Sequence, residues 1–192
     1  ELLFQLGLQE AELRLPRPCV RDERDVQQPL LDVAPEAAEE IPGGMTAVIG
    51  LGSEEVKTLC ADIDGPLSVA NVNGSRQFVL SGDGPSIEQG TKAALQRGAV
   101  SAQRLSFNTP LHSPLLESIT EDVRAFIADF PIRPPRVPVT SHWGGRPLST
   151  PGEIRDFLVE ELYRPVDWEG CVQYLLVQGA TCFIEMGGQD TL

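Results

Sequence analysis

A mixed α/β fold is predicted by three features of this sequence. Between Gly43 and Leu105, short apolar runs and amphipathic stretches alternate in the order strand, helix, strand, strand, helix, strand. Beyond Ser113 helical periodicity takes over, interrupted by proline-dense crossings. Glycine pairs at Gly43-Gly44, Gly144-Gly145 and Gly187-Gly188 punctuate the pattern.

Taken in order, residues 1–42 read as an irregular helix and connector. Leu2, Leu3, Leu6 and Leu8 start an apolar helical pattern that Pro16, Pro18 and Pro29 break. Arg21–Asp25 is a solvated charge run. After Gly43-Gly44, Met45–Gly50 reads as a strand. Ser53 is placed to cap a helix that carries Val56, Leu59 and Cys60 on one face, with Glu54 and Glu55 favoured in its first turn by the helix dipole. Leu67–Asn71 and Gln77–Ser81 read as two strands joined at Asn73-Gly74, residues that tolerate positive φ. Gly82-Asp83-Gly84-Pro85 opens a helix with Ile87, Ala93, Ala94 and Leu95, which Gly98 stops. Val100–Leu105 returns as a strand. This order is that of a ferredoxin-like βαββαβ lobe.

The second region starts with a helix over Ser113–Phe130, with Pro114 near its first position. A non-helical crossing, Ile132–Pro138, leads into a short strand at Val137–Ser141 and a turn at His142-Trp143-Gly144-Gly145. Thr150-Pro151-Gly152-Glu153 begins a helix with Ile154, Phe157, Leu158 and Leu162 inward. Tyr163-Arg164-Pro165 breaks it, a helix from about Val166 to Gly179 follows, and Thr181–Glu185 reads as a buried strand. Such alternation indicates an α/β layer with parallel strands, of which two or three make only a thin sheet.

The 192 residues suffice for one ordinary domain or two small lobes, and 41% hydrophobic content provides for a core. No run approaches the roughly 18 apolar residues of a membrane span. No signal peptide is visible, and the start at Glu1 suggests a fragment of something larger. With 28 acidic against 15 basic residues the net charge is −13, which argues against nucleic acid as a partner. Cys19, Cys60, Cys171 and Cys182 have no C-x-x-C spacing, so neither a metal site nor a cofactor is expected. Scattered thiols of this kind suit a cytoplasmic protein.

Two histidines are candidates for chemistry. His112 lies where an apolar run ends in a Pro-punctuated turn, the kind of joint at which a sheet protein exposes reactive side chains. The residues alone leave open whether it is a base or a helix-start histidine without chemical duty. His142, at another strand end, reads more simply as a loop histidine. No G-x-S-x-G nucleophile elbow is present. The cysteines lack the electropositive setting that activates a thiolate. Gly82-Asp83-Gly84 lacks the spacing and the lysine of a phosphate loop. Glu160-Glu161, at a helix end, could orient a histidine as the third member of a triad does.

From Gly43 onward the chain resembles the C-terminal half of malonyl-CoA:acyl carrier protein transacylases, the family that includes the acyltransferase domains of fatty acid and polyketide synthases. Five motifs come in the family's order. They are Gly43–Gly50, then Ala70–Gln77 leading into Val79–Gly82, Leu111-His112-Ser113-Pro114-Leu115-Leu116, Leu162–Trp168, and Glu185-Met186-Gly187-Gly188. The resemblance implies an α/β-hydrolase-like subdomain interrupted by the ferredoxin-like lobe. Residues 1–42 are then the irregular connector, 43–108 the small subdomain and 109–192 the C-terminal part of the large one.

It also implies an acyltransferase that moves an acyl group from coenzyme A to a serine, then to the phosphopantetheine thiol of an acyl carrier protein. His112 matches the catalytic base. Asn73 in the hairpin motif, and Glu161 where the family has glutamine, are candidates for binding substrate or orienting the histidine. The family's nucleophile serine and oxyanion glutamine would lie upstream of residue 1. Where its carboxylate-binding arginine is expected, this chain reads Asp25-Val26-Gln27-Gln28-Pro29-Leu30-Leu31, with Arg24 nearest. Thr109-Pro110-Leu111-His112 matches the pattern of discrete transacylases, which points to malonyl. Two other readings stand beside the enzyme: a catalytically inactive module that docks a carrier protein or synthase, and an independent ferredoxin-like binding protein with an appended helical layer.

Overall fold

The computed structural model describes residues 41–106 and 108–184, all within the compact unit Ala34–Leu192. The expected first helix, the connector up to Glu40 and the motif beginning at Glu185 lie outside the described residues. The elements are β1 (Gly44–Ile49), α1 (Ser53–Asp62), β2 (Leu67–Gly74), β3 (Gln77–Gly82), α2 (Gly84–Gln96), β4 (Ser101–Arg104), α3 (Thr120–Ile127), β5 (Val139–Thr140), β6 (Pro147–Leu148), α4 (Pro151–Glu160), β7 (Val166–Asp167) and α5 (Trp168–Val177). Among the described residues no helix is long and apolar enough to cross a membrane.

Five strands form one sheet in the order β4-β1-β3-β2-β7. β1 pairs antiparallel with β3 and β4, and β2 pairs antiparallel with β3. β7 joins the far edge in parallel, through Asn71↔Val166 and Val72↔Asp167. Side chains alternate across a strand, so β3 serves two cores. Phe78 and Leu80 face Val48, Val56, Leu59 and Ile87, and α1 and α2 cover that side. Val79 points the other way, to Met45 and Ala70, where Leu105 and Leu111 pack. The second face therefore seats the residue that precedes His112.

Several local expectations need correction. The cap of α1 is Gly52, whose N–H donates to the Glu55 carboxylate at 2.7 Å, and Ser53 is already helical. Asn73-Gly74 is no turn. Neither residue has positive φ, which a tight hairpin turn would demand of both. Instead β2 continues to Gly74, paired with Gln77, so the loop is Ser75-Arg76 and Asn73 is the extra residue of a bulge. Leu95 is exposed, and Val100 lies outside β4. The single helix expected over Ser113–Phe130 is a 3-10 helix, Pro114–Ile119, followed by α3. The strand expected over Val137–Ser141 is only β5, in a hairpin with β6. Val166–Asp167 is strand, and α5 starts at Trp168. Residues 181–184 form no strand, and Phe183 and Ile184 are exposed.

The thin parallel layer is, among the described residues, the strand pair β2–β7, extended by an isolated parallel bridge between Trp143 and Asp167. Sequence pattern could not show this, because two-residue strands carry too few positions to reveal a period.

The helical layer is built by α3 and α4, where Val123 and Ile127 pack on Val159. Val159, missed in the sequence, is the residue of α4 buried most completely. The N-terminus of α4 is a reciprocal cap. Glu153 N–H donates to Thr150 Oγ1 at 3.2 Å, while the Glu153 carboxylate accepts from Ser149 and Thr150 N–H at 2.8 and 3.0 Å. Thr150→Ala removes one half of it and is expected to cost about 1 kcal/mol, measured as a shift of the urea midpoint with unchanged slope.

Candidate functional site

The loop that carries His112 is bound to the sheet through glycine. Gly43 N–H donates to Asn108 carbonyl oxygen at 2.9 Å. A Cβ on Gly43 would lie 2.6 Å from Gly82 O and 2.8 Å from Pro110 Cβ. The Gly43-Gly44 punctuation is thus a close approach: only a residue without a side chain lets buried Pro110 sit against β1 and β3.

His112 adopts φ +55°, alone among described non-glycine residues in the left-handed region. That conformation costs free energy and persists where neighbours over-determine it. Its backbone N–H donates to Leu162 O at 2.8 Å, and its Nδ1 lies 2.7 Å from Glu161 O. A carbonyl oxygen can only accept, so Nδ1 carries the proton and Nε2 presents a lone pair. This is the tautomer of a general base. Burial holds the imidazole below its usual pKa, partly offset by hydrogen bonds to the backbone of Glu161 and Arg164. At neutral pH His112 is uncharged and ready to accept a proton.

The geometry revises the two subsidiary candidates. Glu161 does meet His112, through its backbone carbonyl, and its half-buried carboxyl has a pKa raised by burial. The group that Nδ1 meets is thus a backbone carbonyl rather than a carboxylate. Glu161→Gln keeps that carbonyl and is expected to leave the His112 tautomer unchanged, as read from ¹⁵N chemical shifts of the imidazole. Loss of the Nδ1-protonated form would return the role to the side chain. Asn73 sits at its bulge, and no hydrogen bond among the described residues joins it to His112.

His142, read as a loop histidine, lies beside His112. The two rings meet edge-on with centroids 5.9 Å apart. Phe157 and Trp143 close around His142 at 4.8 and 6.0 Å, and the Arg164 guanidinium lies 4.1 Å above the Trp143 ring. This aromatic nest depends on the β5–β6 turn, where Gly145 takes φ +78° and a Cβ would collide with Tyr174 at 2.5 Å. The sole advance signal was the turn itself, since proximity to His112 arises from long-range packing. β7 ties the nest to the sheet: Asp167 N–H donates to His142 O at 2.7 Å while Val166–Asp167 pairs with β2. Among the described residues no group of three His, Cys, Asp or Glu is placed to hold a metal.

No family model matches the chain. It is 31% identical over 155 residues to the malonyl CoA-acyl carrier protein transacylase of Bacillus subtilis, covering 79% of this chain and 49% of that protein. The crystal structure of the acyl-carrier-protein S-malonyltransferase of Burkholderia pseudomallei is similar with TM-score 0.74 and 30% identity, over 80% of this chain and 52% of that one. A malonyl-transacylase solved in complex with its type II polyketide synthase acyl-carrier protein gives TM-score 0.72 and 27% identity, over 77% and 48% of the two chains. The chain thus spans about half the length of the transacylases it matches. Across that half it is homologous to the malonyl CoA-acyl carrier protein transacylases, and its mixed α/β fold matches theirs.

Proposed function

We propose that this chain supplies the histidine of a malonyl-CoA:acyl carrier protein transacylase. The observation that carries the reading is the 2.7 Å contact from Nδ1 of His112 to the Glu161 carbonyl, which leaves a neutral Nε2 as the proton acceptor. The acyl-accepting serine comes from the remaining half of the parent fold. Its hydroxyl proton passes to Nε2 as Oγ attacks the thioester carbonyl of malonyl-CoA. The carbon–sulfur bond breaks, and coenzyme A leaves as the thiol with the proton returned by His112. In the second half the phosphopantetheine thiol of the carrier protein gives its proton to the same nitrogen and attacks the malonyl ester, the bond from the acyl carbon to serine Oγ breaks, and His112 returns the proton to that oxygen. The relative solved with its acyl-carrier protein supports that partner.

In the same reading residues 43–108 are a ferredoxin-like lobe inserted in an α/β-hydrolase-like subdomain to which 109–192 return. The antiparallel order β4-β1-β3-β2, with β7 added in parallel, supports it. A docking module without turnover has no use for an imidazole fixed in the basic tautomer, so the enzyme is favoured. The test is incubation of the full-length protein containing this sequence with malonyl-CoA, followed by a phosphopantetheinylated carrier. A malonyl ester on the protein that chases to the carrier is expected. Absence of both adducts would sink the reading, and competition with acetyl-CoA reads the acyl preference.

A further inference from the structure

Three of the contacts described above restrain His112 most directly. Two are backbone carbonyls of one connection, Glu161 and Leu162, and the third is the ring of His142. His142 is an unusual choice for a packing residue. Its Nε2 is buried without a hydrogen-bond partner among the described residues, a desolvated polar atom that an apolar ring would not bring. Yet the ring is firmly held. Phe157 lies against it at 4.8 Å, Trp143 meets it at a steep angle, and its carbonyl is tied to Asp167 N–H. Trp143 is itself capped by Arg164, which Glu160 pairs at 2.7 Å.

We infer that His142 is a positioning residue for the base: its ring is the wall that holds the His112 imidazole with Nδ1 on the Glu161 carbonyl and Nε2 free to react. This rests on the reading of His112 as the base. A rotation of the imidazole about its side-chain bonds would break the Nδ1 contact, and the edge-on ring of His142 stands against one face of that motion. The same ring withholds water. Burial is the main cause that keeps His112 below the ordinary histidine pKa, and His142 itself titrates only at about 4 because it too is buried and faces His112. Through the working pH range the wall is therefore neutral and puts no like charge beside the base. Among the described residues the other charged groups around the pair are the Glu161 carboxyl and Arg164 after α4, Glu160 at its end, and Asp167 on β7. None of these charges is a cause of the His112 shift, so loss of the wall acts through exposure to water.

The experiment is an NMR titration of the His112 imidazole in the full-length protein, in the wild type and in His142→Ala and His142→Phe. In the alanine variant the His112 midpoint is expected to rise toward the ordinary value of about 6.5, with both tautomers populated. The phenylalanine variant, which keeps a ring of similar breadth, is expected to retain the lowered midpoint and the Nδ1-protonated form. In acyl transfer, His142→Ala is expected to lower kcat about 10- to 100-fold with KM unchanged, the signature of a displaced base. An unchanged midpoint and tautomer in folded His142→Ala would overturn the proposal. So would a His142→Phe variant whose His112 midpoint rises to the ordinary value, and that variant decides the matter if the alanine protein does not fold. The titration reads the wall without turnover, so a failure of the underlying reading shows separately: for the acyltransferase as absence of both malonyl adducts, and for the base as transfer that survives loss of His112.

Discussion

Replacing His112 by alanine in the full-length protein is expected to lower kcat for acyl transfer by about 10²- to 10⁴-fold, the usual worth of a positioned general base. The argument begins at the ring. Nδ1 is committed to the Glu161 carbonyl at 2.7 Å, so the remaining nitrogen is the one that accepts protons. Burial lowers the pKa and thereby extends the basic form toward acid. The acidic limb of kcat/KM is accordingly expected below about 6.5, and it should vanish from the residual rate of the variant. Because His112 sits at φ +55°, alanine also adds backbone strain. His112→Asn separates the two effects, since asparagine tolerates the left-handed region while supplying no base of comparable pKa. Equal loss in both variants assigns the effect to chemistry. Undiminished transfer in either would remove His112 from the mechanism.

The elements between Gly43 and Leu105 were legible because their information is local. Gly43-Gly44, the alternation through Phe78-Val79-Leu80, the Asp83-Gly84-Pro85 start and the Gly98 stop each act within a few residues, and each element begins or ends near its expected place. Asp83 caps α2 by accepting from Ser86 N–H at 2.8 Å, chemistry that the residue types announce. The second region was read less well, since two-residue strands and a 3-10 turn are held by tertiary contacts. Val166 pairs with Asn71, nearly a hundred positions away in sequence, and nothing in the local pattern of Val166–Gly179 signals that partner.

The site divides in the same way. His112 was visible as a histidine at a strand–helix joint and as part of a motif that resembles a known family. What orients it was invisible, because a backbone carbonyl has no residue type to search for. Glu161 was singled out for its carboxylate, whereas its peptide carbonyl is what meets Nδ1 of His112. His142 was set aside because a loop histidine is a common thing. Only the fold, by carrying the β5–β6 turn to α4, brings its ring to 5.9 Å from that of His112.

Phe78→Ala is expected to destabilise the protein by about 3–5 kcal/mol, the range for truncating a buried aromatic ring. Phe78 is 2% exposed and is among the largest fully buried side chains. It stands on the central strand, paired with Val48 on one side and Val72 on the other, so the void opens where both helices and three strands meet. A surrounding strand cannot collapse into the gap without losing its ladder, which places the cost toward the upper end. The consequence should reach the site, because β3 holds β2, β2 holds β7, and β7 holds the backbone of His142. In urea unfolding the midpoint falls while the slope stays constant if these parts unfold together. Val100→Ala, on a residue 83% exposed, is the control and should stay within about 0.5 kcal/mol of wild type. Should Phe78→Ala lower the midpoint no more than Val100→Ala, the sheet core would not be what positions the His112 and His142 rings.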